Sequence, residues 1–387
     1  MSRKIYVQAQ SDHMELLSKA SPFSAIEELV WNALDADAKE VKIDTFKNGI
    51  NGIEAIRIAD DGSGIDVLQA DSTFGSLGGS WKKDETGTRM LKRKLHGHRG
   101  SGRFKAFSLG THVEWRTTMR AGNDLLSYKI SGDLSDIGLF EIEAYSSPGP
   151  ATGTEVYIQN SGPNCTVLSD TAETIQILAS KFALYLMNYP DVKIYFDGLP
   201  VTPAIVQQRV VEKAFATNDG ETVKLRIIEW RKKFSGAGKL VLAGRDGFRC
   251  AEYATGTRAG GIPYTAYLIS EKVTRLANEN ALELGELHPE VRELIDGAKK
   301  TLKQYFRDLA DDKAAAFIGN WSHEGSYPYP DEDISKERSA FDKNALELAS
   351  RFNDFNDLSA DERRIIFKLL KCAMESGDGT NMGELLK

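Results

Sequence analysis

Residues 27–38 read EELVWNALDADA, a stretch that combines helical periodicity with a polar edge. At about 100° per residue, Glu28, Asn32 and Asp35 fall within one narrow arc of a helix. Apolar side chains fill the opposite side: Ile26, Leu29, Val30, Ala33 and Leu34. The pattern predicts a helix with one edge toward a cavity and the other toward a core. Taken alone, the polar edge also fits an ordinary solvated helix face.

Two alternative starts lie just upstream of this helix. Ser21-Pro22 offers an N-cap followed by a proline at the first helical position, and residues 24–27 fit the capping-box pattern. Within the helix, the amide oxygen of Asn32 is a suitable ligand for a hard cation. Glu28 lies one turn earlier, where it can orient a water molecule. A carboxylate one turn before a carboxamide therefore suits two chemical tasks at once.

The composition is that of an ordinary soluble protein, with 41% apolar and 27% charged residues in a chain of 387. This length suffices for two or three domains. The formal net charge of −7 argues against non-specific wrapping of nucleic acid by the whole chain, but it allows a local basic patch.

Cysteine usage and hydropathy indicate the compartment. Cys165, Cys250 and Cys372 lie far apart in the sequence, so we expect buried apolar cysteines, no metal cluster and a reducing environment. Since no run of about 18 apolar residues occurs, we expect neither export nor a membrane span. The expected location is the cytoplasm.

A β-hairpin follows the opening helix. Residues 40–46 and 54–59 alternate between apolar and polar side chains, and the Gly-rich segment 48–52 separates them. The second strand ends in DDGSGI, residues 60–65, where two glycines allow a sharp turn and a close approach to a ligand. A loop of this composition is, by itself, also an ordinary turn.

Residues 72–105 are rich in glycine and strongly basic. From Trp81 to Lys105 there are nine Lys or Arg residues against two acids, in a chain that is acidic overall. Glycines let successive N–H groups converge on phosphate oxygens, and the run GSGRFKAF, residues 100–107, predicts a helix N-terminus at such a phosphate. This segment indicates an anionic ligand, although glycine spacing alone is a weak signal that also fits a solvated loop.

The next residues complete a mixed domain. Strands are predicted at 113–118, 140–144, 154–158 and 192–196, with a helix over about 172–188. Together with the opening helix and hairpin, they predict an α+β sandwich of roughly 200 residues.

Four motifs in this order resemble the GHKL (Bergerat-fold) ATPases: the ninety-kilodalton heat-shock chaperones, gyrase B subunits, MutL-type mismatch-repair proteins and MORC proteins, with histidine kinases as relatives. The motifs are residues 28–36, Asp60-x-Gly62-x-Gly64, Gly97-x-x-Gly100-x-Gly102, and Thr154. The first is most similar to the MutL and MORC versions. The resemblance implies a Bergerat-fold two-layer α/β sandwich that binds ATP and Mg²⁺.

The resemblance also implies a role for individual residues. Glu28 corresponds to the general base and Asn32 to the magnesium ligand, with Asp35 on the same edge. Asp60 corresponds to the acceptor of the adenine amino group, Gly64 allows the base to approach, and Thr154 helps to hold Asp60 and a water. The expected phosphate contacts are Lys82, at the leading edge of the ATP lid, and Gly97, His98, Arg99, Gly100, Ser101, Gly102, Arg103 and Phe104.

The resemblance favours hydrolysis over phosphotransfer to histidine. Histidine kinases generally lack a water-activating glutamate at the position of Glu28. Moreover, only about twenty residues precede the first motif, and they contain no convincing phospho-acceptor helix. A kinase is therefore the least favoured alternative.

The hydrolases carry a second domain, the transducer, which is similar to ribosomal protein S5 and sends a basic side chain to the γ-phosphate. Predicted strands at 223–228, 239–243 and 264–269 place a transducer-like α/β domain here. The candidates for the basic side chain are Arg231, Lys232, Lys233, Lys239 and Arg245, which the spacing does not separate from ordinary surface charges.

The last part of the sequence is predicted to be helical, over about 291–309, 339–352 and 360–374. The predicted domains are thus 1–205 for ATP binding, 206–300 for the transducer-like domain and 301–387 for the helical region. The helical region has no clear closing feature, so we expect the chain to be the front part of a longer protein.

The expected function is ATP-driven opening and closing of a homodimer. A DNA-handling clamp of MutL or MORC type is the leading hypothesis, and a chaperone-like ATPase with protein clients is the main alternative. The acidic tail disfavours a DNA surface there, whereas a basic groove between two protomers would favour the clamp.

Overall fold

The structure is a computed structural model that describes most of the chain. The described residues are 19–49, 52–67, 70, 74, 88, 90–91, 93, 95–96, 102–144, 151–234, 236–245, 247–330 and 333–375. They divide into two compact units. The first contains residues up to 256 together with 262–299, and the second contains 257–261 and the residues from 300 onward.

An eight-stranded sheet organises the first half of the chain. Its strands are Glu40–Lys47 (β1), Ile53–Asp60 (β2), His112–Ala121 (β3), Asp124–Asp133 (β4), Phe140–Ala144 (β5), Gly153–Gln159 (β6), Lys193–Phe196 (β7) and Leu199–Pro200 (β8). The spatial order is β5-β4-β3-β6-β2-β1-β7-β8. Only the β1–β7 pair among these described strands is parallel.

The two faces of this sheet follow from alternation along its strands. Val41, Ile43, Ile56 and Ile58 point into the core and are at most 2% exposed. On the opposite face, charged side chains pair across neighbouring strands: Asp44 with Arg57, Arg57 with Glu155, and Glu155 with Arg116. One face therefore carries helices and the other carries ion pairs.

Helix α1, Pro22–Asp35, packs on the apolar face. Of its two predicted starts, the structure uses Ser21, whose hydroxyl accepts a hydrogen bond from Ser24 N (3.2 Å), with Pro22 at the first helical position. Ile26, Leu29, Val30 and Leu34 are buried as the periodicity predicts. Trp31 is also buried, and it contacts helix α2, Thr171–Asn188, through Phe182 and Tyr185.

A second, five-stranded sheet belongs to the same unit. Its strands are Gln207–Ala216 (β9), Thr222–Trp230 (β10), Lys239–Ala243 (β11), Arg249–Ala254 (β12) and Tyr264–Ile269 (β13), in the order β12-β11-β13-β10-β9. Helix α2 lies between the two sheets. Phe182 joins the core of the first sheet, whereas Ile177 and Leu184 pack with Trp230 and Tyr267 of the second.

The remaining helices are Pro203–Val206 (α3), Glu271–Asn278 (α4), Pro289–His323 (α5), Lys336–Arg351 (α6) and Ala360–Glu375 (α7). Short 3₁₀ helices occupy Gly102–Ser108, Leu134–Asp136, Pro163–Ser169, Ala281–Leu287 and Asn353–Asp357. The second unit has its own core, in which Trp321, Phe341, Phe355 and Phe367 pack together.

The predicted α+β class and the helical C-terminal region are confirmed, and the large sheet is mostly antiparallel. The division into 1–205, 206–300 and 301–387 stays a prediction. Two details were wrong. Helix α5 continues to His323 rather than ending near Leu309, because residues 310–316 are mainly strong helix formers. Cys372 is exposed, whereas Cys165 is buried as expected.

Candidate functional site

The loop after β2 holds Asp60 by backbone hydrogen bonds. Gly62 N and Thr154 N both donate to Asp60 Oδ1, at 2.8 and 3.3 Å. Ser63 N donates to Ala36 O (2.8 Å), which ties the loop to the end of helix α1. Among the described residues, these hydrogen bonds to Asp60 reach Oδ1, so Oδ2 is available to accept from a ligand.

Two glycines of this loop approach other backbone atoms closely. Gly64 has φ +74°, and a Cβ there would lie 2.3 Å from Thr118 O. A Cβ on Gly62 would lie 2.7 Å from Ala36 O. Both positions therefore exclude side chains, because the loop packs directly on the backbone of β3 and of residue 36.

Thr154 lies next to Asp60 and is 9% exposed. Its hydroxyl pairs with Thr117 Oγ1 at 3.1 Å, and Thr117 Oγ1 also accepts from Ile65 N at 2.9 Å. The two threonines thus join β6 and β3 to the loop. Thr154 supports Asp60 through its backbone N–H and the loop through its side chain.

The environment of Asp60 changes its ionisation. Burial, assisted by the nearby charge of Asp61, raises the pKa of Asp60 to about 7, although the hydrogen bonds from Gly62 and Thr154 N oppose this rise. A carboxylate with such a pKa is desolvated yet still ionised in part near neutral pH. In its ionised form it can accept a hydrogen bond from a ligand.

Glu28 lies on the polar edge of α1, with a side chain that is 17% exposed. Lys105 Nζ donates to Glu28 Oε2 at 2.9 Å. Gly102 faces the other carboxylate oxygen, since a Cβ on Gly102 would lie 2.0 Å from Glu28 Oε1. The structure thus brings Glu28 of the first motif and Gly102 of the glycine motif together.

Asn32 and Asp35 continue the same edge but differ in exposure. Asn32 is half-buried. Asp35 is only 6% exposed, and its Oδ1 accepts a hydrogen bond from His96 N at 2.8 Å. His96 immediately precedes the glycine motif, so Asp35 anchors the start of that motif. Asn32 is the better placed of the two to reach a ligand.

Arg103 and Phe104 lie in the first turn of the 3₁₀ helix Gly102–Ser108, where a helix N-terminus was predicted. Phe104 is 2% exposed and belongs to the core. The Arg103 guanidinium carbon lies 4.4 Å from the centroid of the Phe104 ring, and burial lowers the pKa of Arg103 to about 10. Since the Phe104 side chain is buried, a nucleotide would meet this residue through its backbone.

Several predicted contacts fall outside the described residues: Lys82, Gly97, His98, Arg99, Gly100 and Ser101. In the described part of the chain, no group of three or more His, Cys, Asp or Glu side chains could hold a metal alone. A magnesium ion held by Asn32 would consequently take most of its ligands from phosphate oxygens and water, an arrangement that Mg²⁺ commonly adopts.

Three cations contact the glutamates of α1, and sequence reasoning did not single out any of them for this position. Lys105 pairs with Glu28, while Lys181 and Arg249 pair with Glu27. Of the predicted candidates for the transducer cation, Lys239 pairs with Glu252 and Arg245 with Glu271. Lys105 follows Gly102 by three residues, a spacing that could have pointed to it.

Residues 20–136 match a family model described as histidine kinase-, DNA gyrase B-, and HSP90-like ATPase. One matching solved structure is described as the N-terminal domain of a DNA repair protein. It is 16% identical, covers 77% of this chain and 98% of its own, and has a TM-score of 0.43. None of the curated proteins compared with this chain is a significant match.

The family match covers the α1 edge, the Asp60 loop and Gly102, and it confirms the resemblance that these motifs carry. Residues 20–136 are therefore similar to the ATP-binding domain of the GHKL ATPases, and the α+β architecture is consistent with the Bergerat fold. Within the described ranges, no helix has both the length and the apolar character to cross a lipid bilayer.

Proposed function

We propose that the chain is a magnesium-dependent ATP hydrolase whose nucleotide lies along the edge of helix α1. The main support for this proposal is that helix α1 contacts both ends of the candidate site. Ser63 N bonds to Ala36 O at the end of α1, next to Asp60, and Glu28 faces Gly102 earlier on the same helix. Residues 28 and 36 are about 12 Å apart along a helix axis. This separation suits an adenine base at one end and a terminal phosphate at the other.

Each residue then has a distinct chemical role. Asp60 Oδ2 accepts a hydrogen bond from the adenine amino group, and Asn32 Oδ1 binds Mg²⁺. Glu28 accepts a proton from water as the water oxygen bonds to the γ-phosphorus and the bond from phosphorus to the bridging oxygen breaks, which yields ADP and phosphate. Lys105 and Gly102 set the position of the Glu28 carboxylate. When bound, Mg²⁺ would neutralise part of the negative charge of the phosphates.

The primary test compares the wild-type chain with Asn32→Ala. We expect the wild type to hydrolyse ATP only with Mg²⁺, and we expect Asn32→Ala to lose the magnesium-dependent part of ATP binding. Calorimetry with and without Mg²⁺ measures that part directly. Equal magnesium sensitivity in the two proteins would remove Asn32 from the metal site.

The proposal extends to a conformational cycle in which ATP closes a lid, residues 73–103, and promotes dimerisation. A basic residue from 206–300 would also contact the γ-phosphate. Nine cationic residues between Trp81 and Lys105 support this step, because they repel one another until a polyanion enters. ATP must bind the closed state more tightly than ADP does, since a ligand shifts an equilibrium only by its differential affinity.

Sedimentation tests the cycle in the hydrolysis-deficient variant Glu28→Ala. ATP should shift the protein toward a dimer and protect residues 73–103 from proteolysis, whereas ADP should do neither. A protein that stays monomeric with ATP, with its lid cleaved as fast as without nucleotide, contradicts ATP-gated closure.

For the partner, we propose DNA, as in a clamp of the MutL or MORC type. The basic segment supports this choice because it concentrates positive charge in an acidic chain. DNA should stimulate ATP turnover, and the stimulation should fall steeply with salt as counterions compete for phosphate contacts. Stimulation by unfolded protein but not by DNA would favour the chaperone-like alternative.

A further inference from the structure

The turn between β11 and β12 reaches back to the ATP-binding domain. Phe248 precedes β12 and is 5% exposed, and Arg249 is the first residue of that strand. Each contacts a different part of the candidate site. Neither residue belongs to any of the four motifs.

Arg249 acts on the residue next to the proposed base. Its Nη1 lies 3.4 Å from Glu27 Oε1, and Lys181 of helix α2 pairs with the other oxygen of the same carboxylate. Burial raises the pKa of Glu27, but Arg249 and Lys181 outweigh it and hold this pKa below its ordinary value. Glu27 is therefore an ionised, partly buried anchor between α1, α2 and the second sheet.

Phe248 acts on the start of the glycine motif. Its ring stacks on the imidazole of His96, with centroids 5.5 Å apart, and His96 stacks on Trp31 of α1 at 4.6 Å. His96 N also donates to Asp35 Oδ1 at 2.8 Å. The residue just before Gly97 is thus held by α1 on one side and by the second sheet on the other.

A pocket of about 180 Å³ opens beside the N-terminal end of helix α1 and is lined in part by Ser21, Lys181, Val241 and Arg249. Phe23 of α1 packs against the core of the second sheet. The ion pairs with Glu27 add directional contacts to this packing.

We propose that Arg249 and Phe248 are positioning residues for ATP hydrolysis. Arg249 acts through Glu27 to fix the rotation of α1, and hence the direction of Glu28. Phe248 acts through His96 to hold the backbone directly before Gly97. This inference rests on the proposed function. It adds two contacts from the second sheet, Arg249 with Glu27 and Phe248 with His96, neither of which involves the γ-phosphate.

The kinetic test uses Arg249→Met, its conservative counterpart Arg249→Lys, and Arg226→Met as a matched control. Arg226 forms an ion pair with Glu212 on the same sheet, away from α1. We expect Arg249→Met to lower kcat about tenfold with little change in ATP affinity, because misplacing a catalytic group affects the rate before it affects binding. Arg249→Lys should recover most of the rate, and Arg226→Met should keep it. Wild-type kcat in Arg249→Met, or an equal loss in Arg226→Met, overturns the role of Arg249.

Hydrogen exchange tests Phe248 without any need for activity. In the nucleotide-free protein, Phe248→Leu should speed exchange of the His96 amide about tenfold while the amide of Ile228, in the interior strand β10, keeps its rate. An unchanged exchange rate of the His96 amide overturns the role of Phe248. Equal acceleration of the His96 and Ile228 amides also overturns it, because it shows general destabilisation. If the wild type does not hydrolyse ATP, the proposed function fails, and the exchange rates still decide whether Phe248 holds the loop.

Discussion

Different kinds of contact hold the candidate site residues near the two ends of helix α1. At the C-terminal end, backbone N–H groups of Gly62 and Thr154 fix Asp60, and Gly64 packs against backbone. Near its first turns, side chains from distant segments fix the two glutamates: Lys105 contacts Glu28, while Lys181 and Arg249 contact Glu27.

Under the proposed function, this difference predicts that variants near Asp60 change ATP affinity, whereas variants near Glu28 change kcat. Backbone hydrogen bonds leave the Asp60 carboxylate little freedom, so under the proposed function variants of this loop should change ATP affinity. Ion pairs of long side chains have several rotamers and more than one partner, so variants at the other end should change the position of Glu28 and therefore the rate.

The largest effect is expected for Glu28→Gln. The amide keeps the size of the side chain but cannot accept a proton from water, so kcat should fall about 10²- to 10⁴-fold while ATP still binds. Single-turnover hydrolysis and calorimetry measure the two quantities. Glu27→Gln should retain measurable turnover, because Glu27 is paired away from the edge. If Glu27→Gln were inactive and Glu28→Gln active, the assigned base would be wrong.

The next effect is expected for Gly102→Ala. The new Cβ would lie 2.0 Å from Glu28 Oε1, so the carboxylate has to move, and a flexible side chain can do this without unfolding the protein. A displacement of about 1 Å can reduce kcat about a hundredfold.

Gly319→Ala is the matched control for Gly102→Ala. Gly319 lies in helix α5, where a Cβ meets nothing within 4 Å, so this substitution should keep the activity and stabilise the helix. A loss of ATP affinity rather than of kcat in Gly102→Ala would show that Gly102 serves phosphate binding and not the position of Glu28.

The same division explains how much the sequence predicts. The Asp60 loop and helix α1 are encoded locally, by glycines, an N-cap and helical periodicity, so both were predicted with nearly correct bounds. Strands β5, β11 and β13 were also predicted with the observed bounds, because each is a short run of β-forming residues.

Elements with mixed composition were missed. Strand β12 reads RCAEYA and lies at the edge of its sheet, where burial imposes little alternation. Strands β4 and β9 and helix α4 were missed as well. Arg249 could not be singled out without β12, because its contact with Glu27 joins residues 222 positions apart. The ion pairs around Glu27 and Glu28 depend on the assembled fold, and no local pattern encodes them.

On the binding side, Asp60→Asn should weaken ATP about ten- to a hundredfold. The variant loses the charged acceptor and places an amide N–H among donors, and an unsatisfied buried polar group costs about 1–3 kcal/mol. Calorimetry with ATP and with ADP should show equal losses, since both carry adenine. Unchanged affinity would remove Asp60 from the adenine site, and a loss confined to ATP would place it near the terminal phosphate.

The smallest effect is a pH dependence of ATP affinity that Asp60 controls. The folded protein raises the pKa of Asp60 from 3.8 to about 7, so this group favours folding below its ordinary pKa, and that contribution is lost as the pH rises to about 7. Binding follows the opposite direction, because the ionised carboxylate is the better acceptor for the adenine amino group. Between pH 8 and pH 6, the ionised fraction of a group with this pKa falls about tenfold, and the affinity should fall with it.

The terminal phosphate of ATP also titrates in this range, so the quantity to compare is the ratio of wild-type to Asp60→Asn affinity at each pH. The ratio of wild-type affinity to Asp60→Asn affinity should fall about tenfold from pH 8 to pH 6. A constant ratio would mean that Asp60 is fully ionised throughout or does not contact the base, and a normal Asp60 pKa measured by NMR would identify the first case.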